Sequence, residues 1–221
     1  YILFMRIVSG IEKISPEKVE VIYNGIDVNK FYVENSNILD KPMVTIGSVG
    51  RLSKEKGQKH LIHACRFLKD RDWRLVLVGD GAMRKELEEL VVFLGLEDKV
   101  RFAGTVNDVR PELNSFDVFV LPSVSEGLSL SVLEAALAGK FVIATRVGGV
   151  PEIVRNEENG LLFKPKNIEQ LFAHLKWVIS SNNKEEANKM ARILQQEVSV
   201  KFNINDIVKQ YQALYENLAG K

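Results

Sequence analysis

"DVFVLPSVSEGLSLSVLEAALAGKFVIAT", residues 117–145, sets two apolar runs on either side of a segment with helical spacing. The runs "DVFVLP" (117–122) and "KFVIAT" (140–145) are apolar almost throughout, the pattern of strands covered on both faces. Between them Leu130, Leu133 and Leu137 recur with the period of a helix and predict its core face. Strand, helix and strand in one short stretch predict a right-handed crossover between parallel strands.

Outward from this unit the pattern repeats. "MVTIGSVG" (43–50), "RLVLVG" (74–79) and "KVRFAG" (99–104) are further strands. In "AMRKELEELVVFLG" the residues Met83, Leu87, Leu90, Val91 and Leu94 form one stripe, and Gly95 supplies the stop signal. From about Asn167 the chain turns helical throughout. The last segment, "NINDIVKQYQALYENLA", gathers Ile204, Ile207, Val208, Tyr211, Leu214, Tyr215 and Leu218 on one side, which calls for a partner surface. At the front, "YILFMRIVSGIEKIS" is apolar and has no obvious strand partner before "VEVIYNGID" (19–27). The expected fold class is α/β, a doubly wound parallel Rossmann-like sheet with C-terminal helices. Ligands of such sheets bind outside the carboxyl ends of the strands.

Composition narrows the function. At 221 residues and 46% hydrophobic, the chain can bury the core of one large α/β domain with an appendage. Thirty basic and 29 acidic residues leave a net charge of +1 without a run of five or six like charges, which argues against nucleic acid as a main partner. Cys65, spaced helically among Leu61, Ile62 and Leu68, reads as a small core residue. No apolar stretch approaches the roughly 20 residues that cross a bilayer, so the expected location is cytoplasmic. The first residue, Tyr1, is not methionine, and a fragment of a longer protein is expected.

Glycine-rich turns follow three strands: "GSVGRLSKEKG" (47–57), "GDGAMR" (79–84) and "VGGVPE" (147–152). Together they predict a rim open to a bulky anionic ligand. The first turn matches neither the dinucleotide fingerprint G-x-G-x-x-G nor a P-loop, which counts against a nicotinamide-dependent oxidoreductase. Arg51 and Lys56 flank a loop that opens a helix near Gly57, where a guanidinium fork and an ammonium would stabilise a diphosphate. The alternative makes them solvated loop cations. Glu126 falls in the turn at the sheet's carboxyl edge, and Glu134 lies on the following helix, leaning back toward its N-terminus. Carboxylates accept hydrogen bonds from adjacent hydroxyls and suit the vicinal diols of a sugar or ribose. The alternative has Glu126 capping the helix and Glu134 in solvent. His60, His63 and His174 lie within helical patterns, no acidic partner completes a zinc site, and no metal is expected. "DRD" (70–72) has the spacing of a metal-binding D-x-D, yet sits between a helix and a strand and reads as a solvated turn.

The ordered phrases "SPEKVEVIYNGID", "GRLSKEKG", "LVGDGAMRKEL", "VRFAGTV", "DVFVLPS", "SEGLSLSVLEAALAG", "VGGVPEIV" and "NGLLF" resemble the donor-binding half of a retaining glycosyltransferase of family 4 (group 1), with the two-domain GT-B architecture. The resemblance runs from about Pro16 to the C-terminus. It implies a UDP- or GDP-linked sugar as donor substrate, without a metal or other cofactor. It also implies that Arg51 and Lys56 bind the diphosphate, Glu126 the donor-sugar hydroxyls and Glu134 the ribose diol. Arg51, Lys56 and Glu126 would be the catalytic set. Backbone near Val106 would meet the base, amides near Leu128 and Leu130 the phosphates or sugar, and Gly50, Gly81 and Gly127 would line the donor site. Retention in this family is generally discussed as front-face attack, with the leaving phosphate helping to deprotonate the acceptor, so this domain needs no nucleophile.

By the same resemblance, residues 1–15 are a remnant of the hinge and acceptor domain. Residues 16–200 are the nucleotide-sugar domain, and 201–221 a helix crossing back to the acceptor domain. The acceptor, a glycan or lipid-linked sugar of polysaccharide or lipopolysaccharide biosynthesis, would be held by that missing N-terminal domain. Peripheral association of the whole protein with the inner face of the cell membrane is also expected. The isolated chain is expected to bind nucleotide or nucleotide-sugar weakly and to turn nothing over. Two departures stand out: Phe141 where proline is common, and Ser129, Leu130 and Ser131 where the family has glycine followed by proline or a small apolar residue. The second bears on the sugar pocket. A nucleotide-sugar 2-epimerase, a sugar-phosphate synthase or a non-catalytic nucleotide-sugar-binding module on the same architecture are the alternatives.

Overall fold

The computed structural model describes residues 15, 18–34, 42–68 and 72–220. They build a six-stranded, wholly parallel sheet from β1 (Val44–Val49), β2 (Trp73–Val78), β3 (Val100–Gly104), β4 (Val118–Leu121), β5 (Phe141–Thr145) and β6 (Leu161–Phe163). The strand order is β3-β2-β1-β4-β5-β6. The chain winds one way from β1 to β3 and the other way from β4 to β6, so the order reverses between β1 and β4. At such a switch point the loops leaving the two strands diverge and open a crevice.

The helices are α1 (Val28–Phe31), α2 (Gln58–Cys65), α3 (Arg84–Phe93), α4 (Arg110–Ser115), α5 (Leu130–Leu137), α6 (Ile168–Ile179), α7 (Lys184–Lys201) and α8 (Ile204–Ala219). One core packs α2, α3 and α6 on the sheet through Leu61, Ile62, Leu87, Val91, Leu171 and Leu175. The other packs α4, α5 and α7 through Leu113, Val132, Leu133, Leu137, Leu194 and Val198. Successive strand residues alternate between them: Val118 and Val120 enter the first core, Phe119 and Leu121 the second. Both neighbours are apolar because both faces are covered, which is why these strands read as continuous runs. Cys65 is fully buried in the first core, and burial pushes its thiol pKa up, as a structural cysteine requires.

Several expectations change. Leu130 is 47% exposed and is not part of the helix's core face, which is Val132, Leu133, Ala135, Ala136 and Leu137. The helix starts at Leu130, beyond the sheet's edge, so its first residue has no strand beneath it. "VEVIYNGID" forms no strand; it contributes an isolated bridge, Ile26 to Asn203, and leads into α1. The short β6 was not among the expected strands, since three apolar residues carry too little period to mark one. On α8 only Ile207 is buried, while Val208, Tyr211, Tyr215 and Leu218 stay exposed. The apolar piece 1–14 and the Asp70–Arg71 part of "DRD" lie outside the described residues. Among the described residues no helix is long and apolar enough to cross a membrane.

Candidate functional site

The loop after β1 is laced to both neighbouring loops. Leu52 N–H donates to the Asp80 carbonyl at 3.0 Å and the Leu52 carbonyl accepts from Met83 N–H at 3.0 Å, tying it to the turn after β2. Gly81 is required there, because a Cβ on it would stand 2.4 Å from the Leu52 carbonyl oxygen. On the other side Val124 N–H donates to the Glu55 carbonyl at 2.7 Å, joining the β1 loop to the β4 loop across the switch point. A 3-10 turn, Lys54–Lys56, then carries Lys56 back over Gly50, whose Cβ position lies 3.7 Å from the lysine stem.

At this junction Lys56 Nζ donates to Glu126 Oε1 at 2.7 Å. Ser123 Oγ donates to the same oxygen at 2.6 Å. The Glu126 side chain keeps 8% of its surface exposed and Lys56 30%, so the pair is shielded but reachable. The backbone under Glu126 is braced by the loop after β5. Gly149 N–H donates to the Gly127 carbonyl at 2.9 Å, and a Cβ on Gly148, where φ is 51°, would stand 1.9 Å from the Glu126 carbonyl oxygen. Arg51 is exposed, its carbonyl accepts from the buried Gln58 amide at 2.9 Å, and its guanidinium pairs with no described carboxylate.

The first turn of α5 follows Glu126 closely in the chain. Ser129 holds the extended N-cap geometry, yet its hydroxyl makes no capping bond and instead lies 3.2 Å from the Ser131 hydroxyl. The leading N–H groups of α5 therefore carry no side-chain cap, and the positive end of the helix is left to attract an anion. Leu128 packs partly into the second core just before this turn, and Leu130 stands exposed at its start.

Glu134 lies about one turn further along α5, half-buried, and its carboxylate accepts no hydrogen bond from a described residue. Burial raises its pKa above the usual glutamate value, and the Lys30 charge on α1 offsets part of that rise. Val106, in the irregular segment after β3, packs partly into the second core.

Glu126, Gly127, Leu128, Gly148 and Gly149 line one side of a cavity of about 590 Å³, whose other side includes Tyr23, Tyr211 and Leu214. The structure thus unites Lys56, Glu126 and Gly127 with the mouth of α5. Glu134 does not line that cavity. It lies toward Lys30, which borders a separate cavity of about 490 Å³ with Asp108 and Arg110.

Ser123 and Lys30 were missed by the sequence reading. A polar residue directly after an apolar strand, in "LPSVSEG", was a usable signal for Ser123. Lys30 gave none, because its approach to Glu134 comes from the contact of α1 with α5. Among the described residues no group of three or more His, Cys, Asp and Glu could hold a metal ion. His174 Nε2 lies 3.2 Å from the Leu162 carbonyl, and burial lowers the pKa of all three histidines.

Comparison with known proteins agrees with this geometry. Residues 31–196 match the family described as glycosyl transferases group 1. The chain is 41% identical over 166 residues to an uncharacterised glycosyltransferase of Methanocaldococcus jannaschii, covering 68% of this chain and 42% of that protein. It is 33% identical over 180 residues to the N-acetylgalactosamine-N,N'-diacetylbacillosaminyl-diphospho-undecaprenol 4-alpha-N-acetylgalactosaminyltransferase of Campylobacter jejuni, covering 80% of this chain and 48% of that one. The chain therefore spans less than half the length of either relative. Its fold superposes on the crystal structure of Anabaena HepE in complex with UDP with a TM-score of 0.83 and 28% identity, over 94% of this chain and 59% of that one. With three quarters of its length matched and the site in the loops of a doubly wound parallel sheet, this chain belongs to the group 1 glycosyl transferases.

Proposed function

We propose that the chain is the donor-binding half of a retaining family 4 glycosyltransferase, taking a UDP- or GDP-linked hexose and transferring it to an acceptor hydroxyl. Arg51 and Lys56 receive the diphosphate together with the uncapped first turn of α5 near Leu128 and Leu130. Glu126 receives the donor sugar, Glu134 the ribose diol, and backbone near Val106 the base. Gly50, Gly81 and Gly127 let the chain approach the ligand closely. The observation that carries this assignment is the meeting of Lys56 and Glu126 at the switch point, beside the α5 N-terminus. The UDP held by HepE supports a nucleotide donor.

As the glycosidic bond to the diphosphate breaks, the anomeric carbon gains positive character and the leaving group gains negative charge. Groups fixed beforehand around that charge lower the barrier. Lys56 spends one N–H on Glu126 and retains two for phosphate oxygens. Arg51 adds a planar fork from the exposed side. No nucleophile on this domain is required, and neither is a metal or other cofactor.

In the whole protein, residues 1–15 belong to the hinge and an N-terminal acceptor domain, 16–200 to the donor domain, and 201–221 to a helix reaching back across it. The Campylobacter relative is named for a diphospho-undecaprenol-linked acceptor, which supports a lipid-linked sugar or growing polysaccharide as acceptor, taken at the cytoplasmic face of the membrane. The 221-residue chain binds donor and does not complete transfer. Calorimetric titration with UDP and GDP tests the assignment. Binding by the wild-type chain that weakens in Arg51→Ala and Glu134→Ala supports it, whereas no binding, or equal binding by both variants, refutes it.

A further inference from the structure

Ser123 has no exposed surface and sits at the end of β4, where its hydroxyl donates to Glu126 Oε1 at 2.6 Å. Lys56 Nζ, delivered by the β1 loop, donates to the same oxygen at 2.7 Å. Two donors from two loops thus fill the two lone-pair directions of Oε1. Glu126 Oε2 accepts from no described residue, and the side chain borders the 590 Å³ cavity. Rotating the carboxylate plane away from the two donors would break both bonds and strand a hydroxyl that water does not reach, which is costly. The carboxylate is therefore held in one orientation.

Resting on the proposed donor site, we infer that Ser123 is a positioning residue for the donor sugar. By donating to Oε1 it fixes the plane of the Glu126 carboxylate, so that Oε1 anchors Lys56 and Oε2 alone is presented to the sugar hydroxyls. Ser123 itself touches no ligand. Of the proposed diphosphate and nucleoside contacts, those through Arg51, the α5 N-terminus and Glu134 do not run through it, and only Lys56, which shares Oε1, is coupled to it. Loss of its hydroxyl accordingly falls on recognition of the sugar more than on recognition of the nucleotide. An undirected carboxylate still carries charge, but it no longer presents an acceptor in a fixed place.

The test measures the gain in affinity that the sugar adds. UDP-glucose, UDP-galactose and GDP-mannose are titrated against UDP and GDP, for wild type, Glu126→Gln, Ser123→Ala, Ser123→Cys and Ser123→Thr. Thermal melting of each variant reports folding. Ser123→Ala and Ser123→Cys are expected to lose roughly five- to tenfold of the sugar-dependent gain for the preferred donor, with a smaller change for the bare nucleotide. Ser123→Thr, which keeps the hydroxyl, is expected to retain the gain. If Ser123→Ala fails to fold, the near-isosteric cysteine carries the test. A wild-type chain that gains nothing from the sugar, or a gain that survives Glu126→Gln, removes the sugar contact of Glu126 and this inference with it. A gain lost in Glu126→Gln but kept in the folded Ser123 variants overturns the role of Ser123 alone. Equal losses for nucleotide and nucleotide-sugar in the Ser123 variants also overturn it, since general loosening of the loop would do that.

Discussion

Lys56 and Glu126 lie 70 positions apart and meet at 2.7 Å, one from the loop after β1 and the other from the loop after β4. These loops leave adjacent strands in the sheet although two strands and three helices separate them in sequence. The topology makes the contact. A parallel sheet wound outward in both directions brings its first and fourth strands together, and the ends of those two strands open the crevice between them.

Removing one member of the pair leaves the other half-shielded without its partner. Lys56→Ala is expected to weaken UDP or GDP binding by about tenfold or more, by loss of a charge-assisted contact to phosphate. Arg51→Ala is expected to act in the same direction, and its effect should shrink as salt is raised, because Arg51 is exposed and screened. Titrations at low and high ionic strength check both; binding insensitive to salt in wild type would count against a diphosphate contact at Arg51.

Glu134 sets a pH dependence. Burial raises its pKa in the folded chain, and the Lys30 charge holds that rise back. With the ribose diol proposed on Glu134 as an ionised acceptor, nucleotide affinity is expected to fall as pH drops through the raised value, above the usual glutamate value of about 4.3. Lys30→Met removes the offset and is expected to move the fall to higher pH. Affinity measured against pH for the two proteins tests this, and coincident profiles would contradict it.

The same shift acts on stability with the opposite sign from a paired carboxylate. Between the unfolded and the raised folded pKa the native state binds more protons than the unfolded state, so stability rises as pH falls through this window. Above it, the desolvated charge costs stability. Glu134→Gln is expected to raise the melting temperature near neutral pH while weakening nucleotide binding, a separation of stability from function that melting and calorimetry resolve together.

Gly148 supports Glu126 through its backbone. Alanine there would adopt a left-handed φ of 51°, costing about 1–2 kcal/mol. Its Cβ would also meet the Glu126 carbonyl at 1.9 Å, so the loop must move. Gly148→Ala is expected to lower the melting temperature and to reduce nucleotide-sugar affinity. Unchanged affinity would show that the β5 loop does not hold Glu126 in place.

Leu133, fully buried on the core face of α5, provides a contrast. Leu133→Ala is expected to destabilise the chain by about 2–5 kcal/mol through the lost transfer energy and the cavity left behind. Nucleotide binding by the remaining folded fraction should change little, which denaturant unfolding and titration in excess ligand establish.

Much of this was legible in the residues. The uninterrupted apolar strands announced a sheet covered on both faces, and the spacing of Leu87, Leu90 and Val91 announced α3. Arg51, Lys56 and Glu126 could be placed near strand ends because each lies in the loop that leaves a strand. What escaped was tertiary. Leu130 has the spacing of a core leucine but stands above the sheet's edge, and periodicity does not know where the sheet stops. The sharing of Glu126 Oε1 by Lys56 and Ser123 depends on side-chain direction across two loops. The charge of Lys30 beside Glu134 depends on the packing of α1 against α5, which no local pattern announces. A three-residue strand such as β6 has no period of its own and is defined by its neighbour β5.

The switch-point crevice is proposed to receive the diphosphate and nucleoside of a sugar donor. A crystal structure of the chain with bound UDP or GDP tests it most directly. The predicted result has phosphate oxygens within hydrogen-bond distance of Lys56 Nζ and the first N–H groups of α5, with the ribose hydroxyls on Glu134. A nucleotide bound elsewhere, or one seated in the crevice with its ribose away from Glu134 and its phosphates away from Lys56, would contradict it.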